Sequence, residues 1–336
     1  MRRGLAGTLL VGCVALNARP PHAWSDSAFS VRLGERLIHG HLVGFSGVGQ
    51  LVHTPHPGAI LLSAPLALLG YSQALAAYGL LAGIAFAALV YFVYRLGSTL
   101  GGPAAGVLAV LLGALTPHVV LAARDTIDVP FAALVVSAVY FAVRQRTRTA
   151  LIGLVLAGLL RPEAWVLALF YAFGWRGRFR TGLLLALLAP IVWLLFGLLT
   201  TGDPLVALHT TRTFVEQGRY RLPNPFLSIA NLIGVPVFLL GIGGAAFAGR
   251  DLSRPRLLVA GSATVLAAAT FGEAIVGKLA VFDRFLLPSA VLLAVLAAVT
   301  TVEALATLRP RVVSRVPRWV RRRSIVAPEH EMTAAV

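Results

Sequence analysis

Three short segments place acids beside or between apolar runs: Trp24-Ser25-Asp26-Ser27-Ala28-Phe29, Arg124-Asp125-Thr126-Ile127-Asp128-Val129-Pro130 and Arg161-Pro162-Glu163-Ala164-Trp165. A carboxylate in such a setting is costly unless it is paired or faces a polar cavity, and there it can take or orient a proton. Two of the segments also supply arginine, whose planar fork of donors binds phosphate or carboxylate oxygens two at a time. Plainer duties compete with chemistry. Asp26 suits a helix N-cap, Arg124 and Asp128 have the i,i+4 spacing of a local ion pair, and Arg161 with Glu163 can neutralise one another at a break between helices.

Histidine appears in two further segments. His53-Thr54-Pro55-His56-Pro57 sets two imidazoles three residues apart, a spacing open to a metal. The prolines flanking His56 oppose the helix that would align the rings, and no Glu follows as in a zincin, so a structural or substrate-positioning role fits better. Between residues 201 and 225 stand Asp203, His209, Arg212, Glu216, Arg219 and Arg221. In a helix His209, Arg212 and Glu216 would share one face, for binding or simply for solvent. Lys278 and Asp283-Arg284 precede the last apolar run, where an interface anchor is the simple role for the pair.

These residues must be carried by membrane helices. The 336 residues are 58% hydrophobic and 12% charged, against roughly 25% charged in a soluble domain, and the mean hydropathy is +0.83. Apolar runs fall near residues 3–16, 71–97, 103–122, 129–143, 149–160, 163–175, 181–200, 226–248, 256–276 and 285–307. The expected fold is all-α: a polytopic integral membrane protein of about ten transmembrane helices, with short interfacial helices in the outer loops. Residues 1–307 read as one membrane domain and 308–336 as a basic cytoplasmic tail, partly disordered. Arg2-Arg3 before the first run reads as an uncleaved signal anchor. The stretch 58–70 is too short to cross, since thirteen helical residues span about 20 Å against a core of roughly 30 Å.

Charge orients the chain. The net charge of +16 comes from 28 arginines and Lys278, and the arginines cluster at 144–148, 176–180, 250–256 and 309–323. By the positive-inside rule these loops and both termini are cytoplasmic in a plasma-membrane protein. Nine of the thirteen carboxylates then fall on the outer side: Asp26, Glu35, Asp125, Asp128, Glu163, Asp203, Glu216, Glu273 and Asp283. Anionic membrane lipid accounts for the arginines, which lie between apolar runs, and nucleic acid is not an expected partner. The lone Cys13 excludes an internal disulfide or a cysteine metal site. No Walker motif or dinucleotide-binding glycine loop is present.

In their order along the chain, the segments resemble the GT-C superfamily of polytopic glycosyltransferases, of the protein-mannosyltransferase and aminoarabinose-transferase type. The matching pieces are Asp26-Ser27-Ala28-Phe29 just after the first run, His56-Pro57-Gly58-Ala59-Ile60-Leu61-Leu62 leading to Gly70-Tyr71-Ser72, Asp128-Val129-Pro130, the hairpin Gly158-Leu159-Leu160-Arg161-Pro162-Glu163, and Arg284-Phe285-Leu286-Leu287-Pro288. They cover about residues 20–300, and their order carries the likeness. Many family members have Asp-Glu where this chain has Asp26-Ser27, and more spans.

The resemblance implies transfer of a sugar from a polyprenyl-phosphate donor to an acceptor hydroxyl on a glycan, lipid or protein, with inversion, at the outer face. Asp26 is then the base and Asp128 orients sugar or acceptor, with Asp125 in reserve. Arg284, Arg161, Arg212 and Lys278 are phosphate contacts, His53 and His56 position sugar hydroxyls, and Glu163 and His209 complete the candidate binding set. No cofactor is required, and a divalent cation shared by Asp26 and a histidine is compatible with the chemistry. The competing reading is a transporter or lipid-linked glycan flippase, with Arg161 and Glu163 on the substrate path.

Overall fold

The computed structural model describes residues 14, 25–40, 55–175, 178–216, 224–251, 253–275 and 283–315. Among the described residues the chain is helical throughout, without a strand. Two short helices, α1 (Asp26–Ile38) and α2 (Pro57–Ala67), pack on each other. Gly34 permits this contact, because a Cβ there would lie 2.7 Å from the Ala64 backbone nitrogen. The next stretch, α3 (Tyr71–Ala109), loses helical geometry at Gly101 and Gly102, the second at φ 83. Gly97 then lies against Ala105 and Gly106. In a straight helix residues 97 and 106 would be about 13 Å apart, so the two arms fold back as a hairpin.

A π-helical turn, Val110–Ala114, ends the second arm, and α4 (Pro117–Asp125), α5 (Asp128–Val143), α6 (Thr147–Leu160) and α7 (Glu163–Gly174) follow. Next come α8 (Phe179–Thr201), α9 (Val206–Glu216), α10 (Pro225–Ile233), α11 (Val235–Asp251), α12 (Arg254–Ile275) and, after the 3₁₀ turn Asp283–Leu286, α13 (Leu287–Arg315). Two helices form the centre: α5, buried on almost every face, and the first turns of α13, buried from Leu286 to Ala298 apart from Leu293. The first packs against α3 and α6, the second against α3, α11 and α12.

Four helical stretches, Tyr71–Ala114, Phe179–Thr201, Arg254–Ile275 and Asp283–Leu308, are long and apolar enough to cross a membrane. The number is up to six if each of two bent helix pairs is one span. The expected count of ten was drawn from apolar runs, and the helices depart from those runs in two places. The run at 226–248 is bent by 114° between α10 and α11, at Gly234 with φ 88 followed by Val235-Pro236. The run at 103–122 is broken at Leu115-Thr116-Pro117, where proline starts α4. The described helix α13 also continues beyond 307, to Arg315, while the expected first span, 3–16, lies outside the described residues except Val14.

The bundle has two chemically different ends. The starts of α5, α7 and α13 lie together at one, with Asp128, Glu163 and Arg284. At the other, Thr99 and Leu100, Val143 to Gln145, and Ser253, Pro255 and Arg256 line a common cleft.

Candidate functional site

Each acid of the site opens a helix. Ser25, rather than Asp26, caps α1, its hydroxyl accepting the Ala28 N–H at 3.1 Å, and Asp26 is the first helical residue. Asp128 begins α5 and Glu163 begins α7 behind Pro162. Such positions face unpaired backbone N–H groups at the positive end of the helix dipole. Arg284 and Phe285 reach the same place from the 3₁₀ turn that leads into α13.

Two guanidinium groups join these acids. Arg161 bonds Asp128 Oδ1 through Nη1 and holds Glu163 through Nη2 at 3.1 Å and Nε at 3.2 Å. Its charge lies over the Phe285 ring, 3.3 Å from the centroid. Arg284 Nη2 is 2.9 Å from Asp26 Oδ2 and its Nε is 3.2 Å from Asp128 Oδ2. The second contact brings opposite charges together without the alignment of a hydrogen bond. A continuous chain results, Asp26–Arg284–Asp128–Arg161–Glu163, drawn from residues far apart in sequence. The pairing of Arg161 with Glu163 is thus one half of a larger network, while the side chain of Arg124 lies outside the described residues. The Asp128 side chain is 0% exposed and that of Arg284 36%, so the network meets solvent mainly at Arg284.

His56 closes one flank. It caps α2 and meets the Trp193 ring edge-on at 5.8 Å. Trp193 and Trp165 both donate their indole N–H to the Gly158 carbonyl, at 2.7 and 3.0 Å. That fixes the turn of α6 from which Arg161 departs. Burial, then the charge of Arg161, push the His56 pKa down to about 3 against the opposing pull of Asp26 and the Leu160 carbonyl. The imidazole is therefore neutral near pH 7, and its Nδ1 is buried with no hydrogen-bond partner. It can make one hydrogen bond to a ligand hydroxyl through Nδ1 but does not serve as a cation near pH 7.

Glu273, one of the nine acids that charge places on the outer side, comes near this network. It sits partly buried in the last turn of α12 within electrostatic reach of Glu163 and Arg161. Local sequence could not reveal it, because its neighbours in charge come from the α6–α7 break. Tyr78 of α3, near Asp26 and the Ser27 hydroxyl, was likewise hidden inside an apolar run.

Other expected residues lie elsewhere. His209 bonds Asp203 Oδ2 at 2.6 Å, and Asp203 also accepts the Leu205 N–H at 2.9 Å. The His209 hydrogen bond holds the Asp203 carboxyl below the usual carboxylate range. This pair is at the surface, and α9, which carries His209 and the exposed Arg212, makes its main contacts with α8. Asp283 accepts a hydrogen bond from Ser228 of α10 at 2.6 Å, so it tethers α10 rather than merely marking the interface. His53 and Lys278 lie outside the described residues, as does the side chain of Asp125. Among the described residues no group of three or more His, Cys, Asp or Glu side chains is arranged to hold a metal ion.

Compared with protein-family models, curated proteins and solved structures, the chain matches none.

Proposed function

We propose that the chain is a membrane glycosyltransferase that moves a sugar from a polyprenyl phosphate to an acceptor hydroxyl, with inversion at the anomeric carbon. The observation that carries this reading is the network at the helix starts: Arg284 lies 2.9 Å from Asp26 and 3.2 Å from Asp128. A base and an anion-binding cation are thus within the span of one sugar phosphate. Attack by the acceptor oxygen on the anomeric carbon breaks its bond to the phosphate oxygen. The hydroxyl proton passes to Asp26, and the phosphate leaves with the bonding pair, its charge met by Arg284.

Closed as it stands, the network also suggests its own trigger. An ion-paired Asp26 is a weak base, because Arg284 stabilises its charged form. A donor phosphate competes for Arg284, the most exposed member, and drawing that guanidinium away raises the basicity of Asp26 as substrate arrives. Asp128, retained by Arg161, orients the sugar or acceptor, and neutral His56 takes a hydroxyl.

In this reading the short helices α6 and α7 and the bent segments complete about ten crossings, the first of them the run at 3–16. The network lies at the outer face of the plasma membrane and both termini lie in the cytoplasm. The acceptor is a glycan, lipid or protein, and no cofactor is needed, although a divalent ion at the outer acids is compatible with the chemistry.

Membranes containing the protein are to be incubated with radiolabelled polyprenyl-phosphate sugars and mixed acceptors, and Asp26→Asn compared with wild type. Loss of a general base is expected to slow transfer by about 10²–10⁴-fold. Undiminished transfer in the variant removes Asp26 from the role. Lipid scrambling without covalent transfer by either protein replaces the reading with a flippase.

A further inference from the structure

At the end of the bundle opposite the acids, three separate turns build one cleft. Thr99 and Leu100 come from the hairpin turn of α3, Val143, Arg144 and Gln145 from the α5–α6 turn, and Ser253, Pro255 and Arg256 from the α11–α12 turn. Its volume is about 400 Å³. Two arginines from different turns thus face one space together with two hydroxyls and an amide. Among the described residues no acid lines the cleft; Arg256 is oriented by Glu303 of α13, to which its Nη2 donates. The Arg144 side chain is exposed.

Two observations make this more than a basic surface. Gln145 has φ 59, the one non-glycine positive φ among the described residues. That conformation caps the end of α5, with the Gln145 N–H donating to the Ala142 carbonyl at 2.9 Å and the Arg146 N–H to the Phe141 carbonyl at 2.8 Å, and the cap fixes the turn that carries Arg144 and Gln145 to the cleft. Depth is the second. One helical turn before Thr99, Arg95 donates to the hydroxyls of Tyr91 and Tyr140 at 2.6 and 2.9 Å and lies over both rings at 5.5 Å. Tyrosines with an arginine snorkelling between them mark the boundary between hydrocarbon and headgroups. The cleft therefore opens at headgroup depth.

From this geometry we infer that the cleft is a binding site for the headgroup phosphate of an anionic phospholipid. Arg144 and Arg256 bind the phosphate oxygens, while Thr99, Gln145 and Ser253 bond the headgroup hydroxyls. The site is separate from the acid network and holds whether or not the chain transfers sugars. It requires only that the apolar helices cross a membrane.

The test uses the full chain purified in a neutral detergent and titrated with short-chain phosphatidylglycerol, phosphatidylcholine or inorganic phosphate, with binding counted by native mass spectrometry and by the shift in melting temperature. Phosphatidylglycerol is expected to bind and stabilise more than phosphatidylcholine. Arg144→Gln is expected to weaken phosphatidylglycerol by about fivefold, the share of one cation near an anionic surface, while leaving the lipid-free melting temperature unchanged. Gln145→Gly, which suits the same backbone turn and keeps both arginines but removes the amide, is expected to weaken it less. Equal binding of the two lipids, or an Arg144→Gln titration indistinguishable from wild type, overturns the site. Protection by inorganic phosphate equal to that by phosphatidylglycerol overturns the lipid assignment.

Discussion

At the scale of single residues, the network makes Arg161 the member that the fold can least lose. It is almost wholly buried between Asp128 and Glu163, neither of which has water to turn to. Removing one partner of a buried ion pair costs about 3–5 kcal/mol, because a buried charge is left uncompensated. Arg161→Met is expected to lower the melting temperature and the folded yield sharply in detergent, whereas Arg284→Met, at a side chain 36% exposed, is expected to cost far less stability and, on the proposed reading, chiefly sugar transfer. Equal melting temperatures for Arg161→Met and wild type would falsify the network as a structural element. His56 gives a second test, by pH. Its folded pKa is pushed down to about 3 from an ordinary value of about 6.5, so between these values the unfolded chain binds the proton and the folded chain does not. The contribution of His56 is thus complete above about pH 6.5 and declines as pH falls toward 3. His56→Gln is expected to flatten the melting-temperature profile across that window, where Asp26, Arg161 and Arg284 are the charges near the ring. Parallel profiles would mean that the ring is not held neutral by its surroundings.

At the scale of elements, helices approach where glycines let them. Gly241 and Gly244 of α11 face α13, and a Cβ on them would come 2.7 Å from the Leu293 carbonyl oxygen and 2.5 Å from Thr300 Oγ1, while Gly243 has open space. Gly241→Ala should therefore destabilise by about 1–3 kcal/mol through overpacking. Gly243→Ala is expected to be neutral or to gain up to about 1 kcal/mol of helix propensity. Thermal unfolding of the two variants side by side decides it, and similar losses in both would mean that close packing is not what sets the α11–α13 distance. The sequence made these helices legible as apolar runs, and it placed α2, the α6–α7 break at Arg161-Pro162 and the acids beside them. Lengths of spans were less legible. Apolarity continues unbroken through Leu115-Thr116-Pro117 and Gly234-Val235-Pro236, and only backbone chemistry, proline at a helix start and glycine at positive φ, turns the chain there. In the site, Asp26, Asp128 and Arg284 were legible because motif order singled them out. Glu273 was not, since its significance comes from charges that only the tertiary fold brings near.

For the molecule as a whole, the decisive property is that the two ends differ in charge. The helix α5 separates Asp128 at its start from Arg144 just past its end, and sixteen helical residues cover about 24 Å, close to the thickness of a hydrocarbon core. Acids linked by Arg161 and Arg284 gather at one end and an arginine-lined cleft at the other. The positive-inside rule predicts Arg144, Arg146 and Arg148 in the cytoplasm and Asp203, at the far end of α8, outside. Single cysteines test this in a Cys13→Ser background, since Cys13 is the only native thiol. Asp203→Cys and Gln145→Cys both substitute described loop or turn residues away from the packed core. A membrane-impermeant maleimide is expected to label Asp203→Cys in intact cells and Gln145→Cys only after permeabilisation. The reverse pattern would invert the molecule and put the acid network on the cytoplasmic side, where a donor and acceptor would have to be cytoplasmic as well. Labelling of both from one side would mean that α5 does not separate two aqueous phases, and neither the outward transfer site nor the opposed phospholipid cleft could then stand.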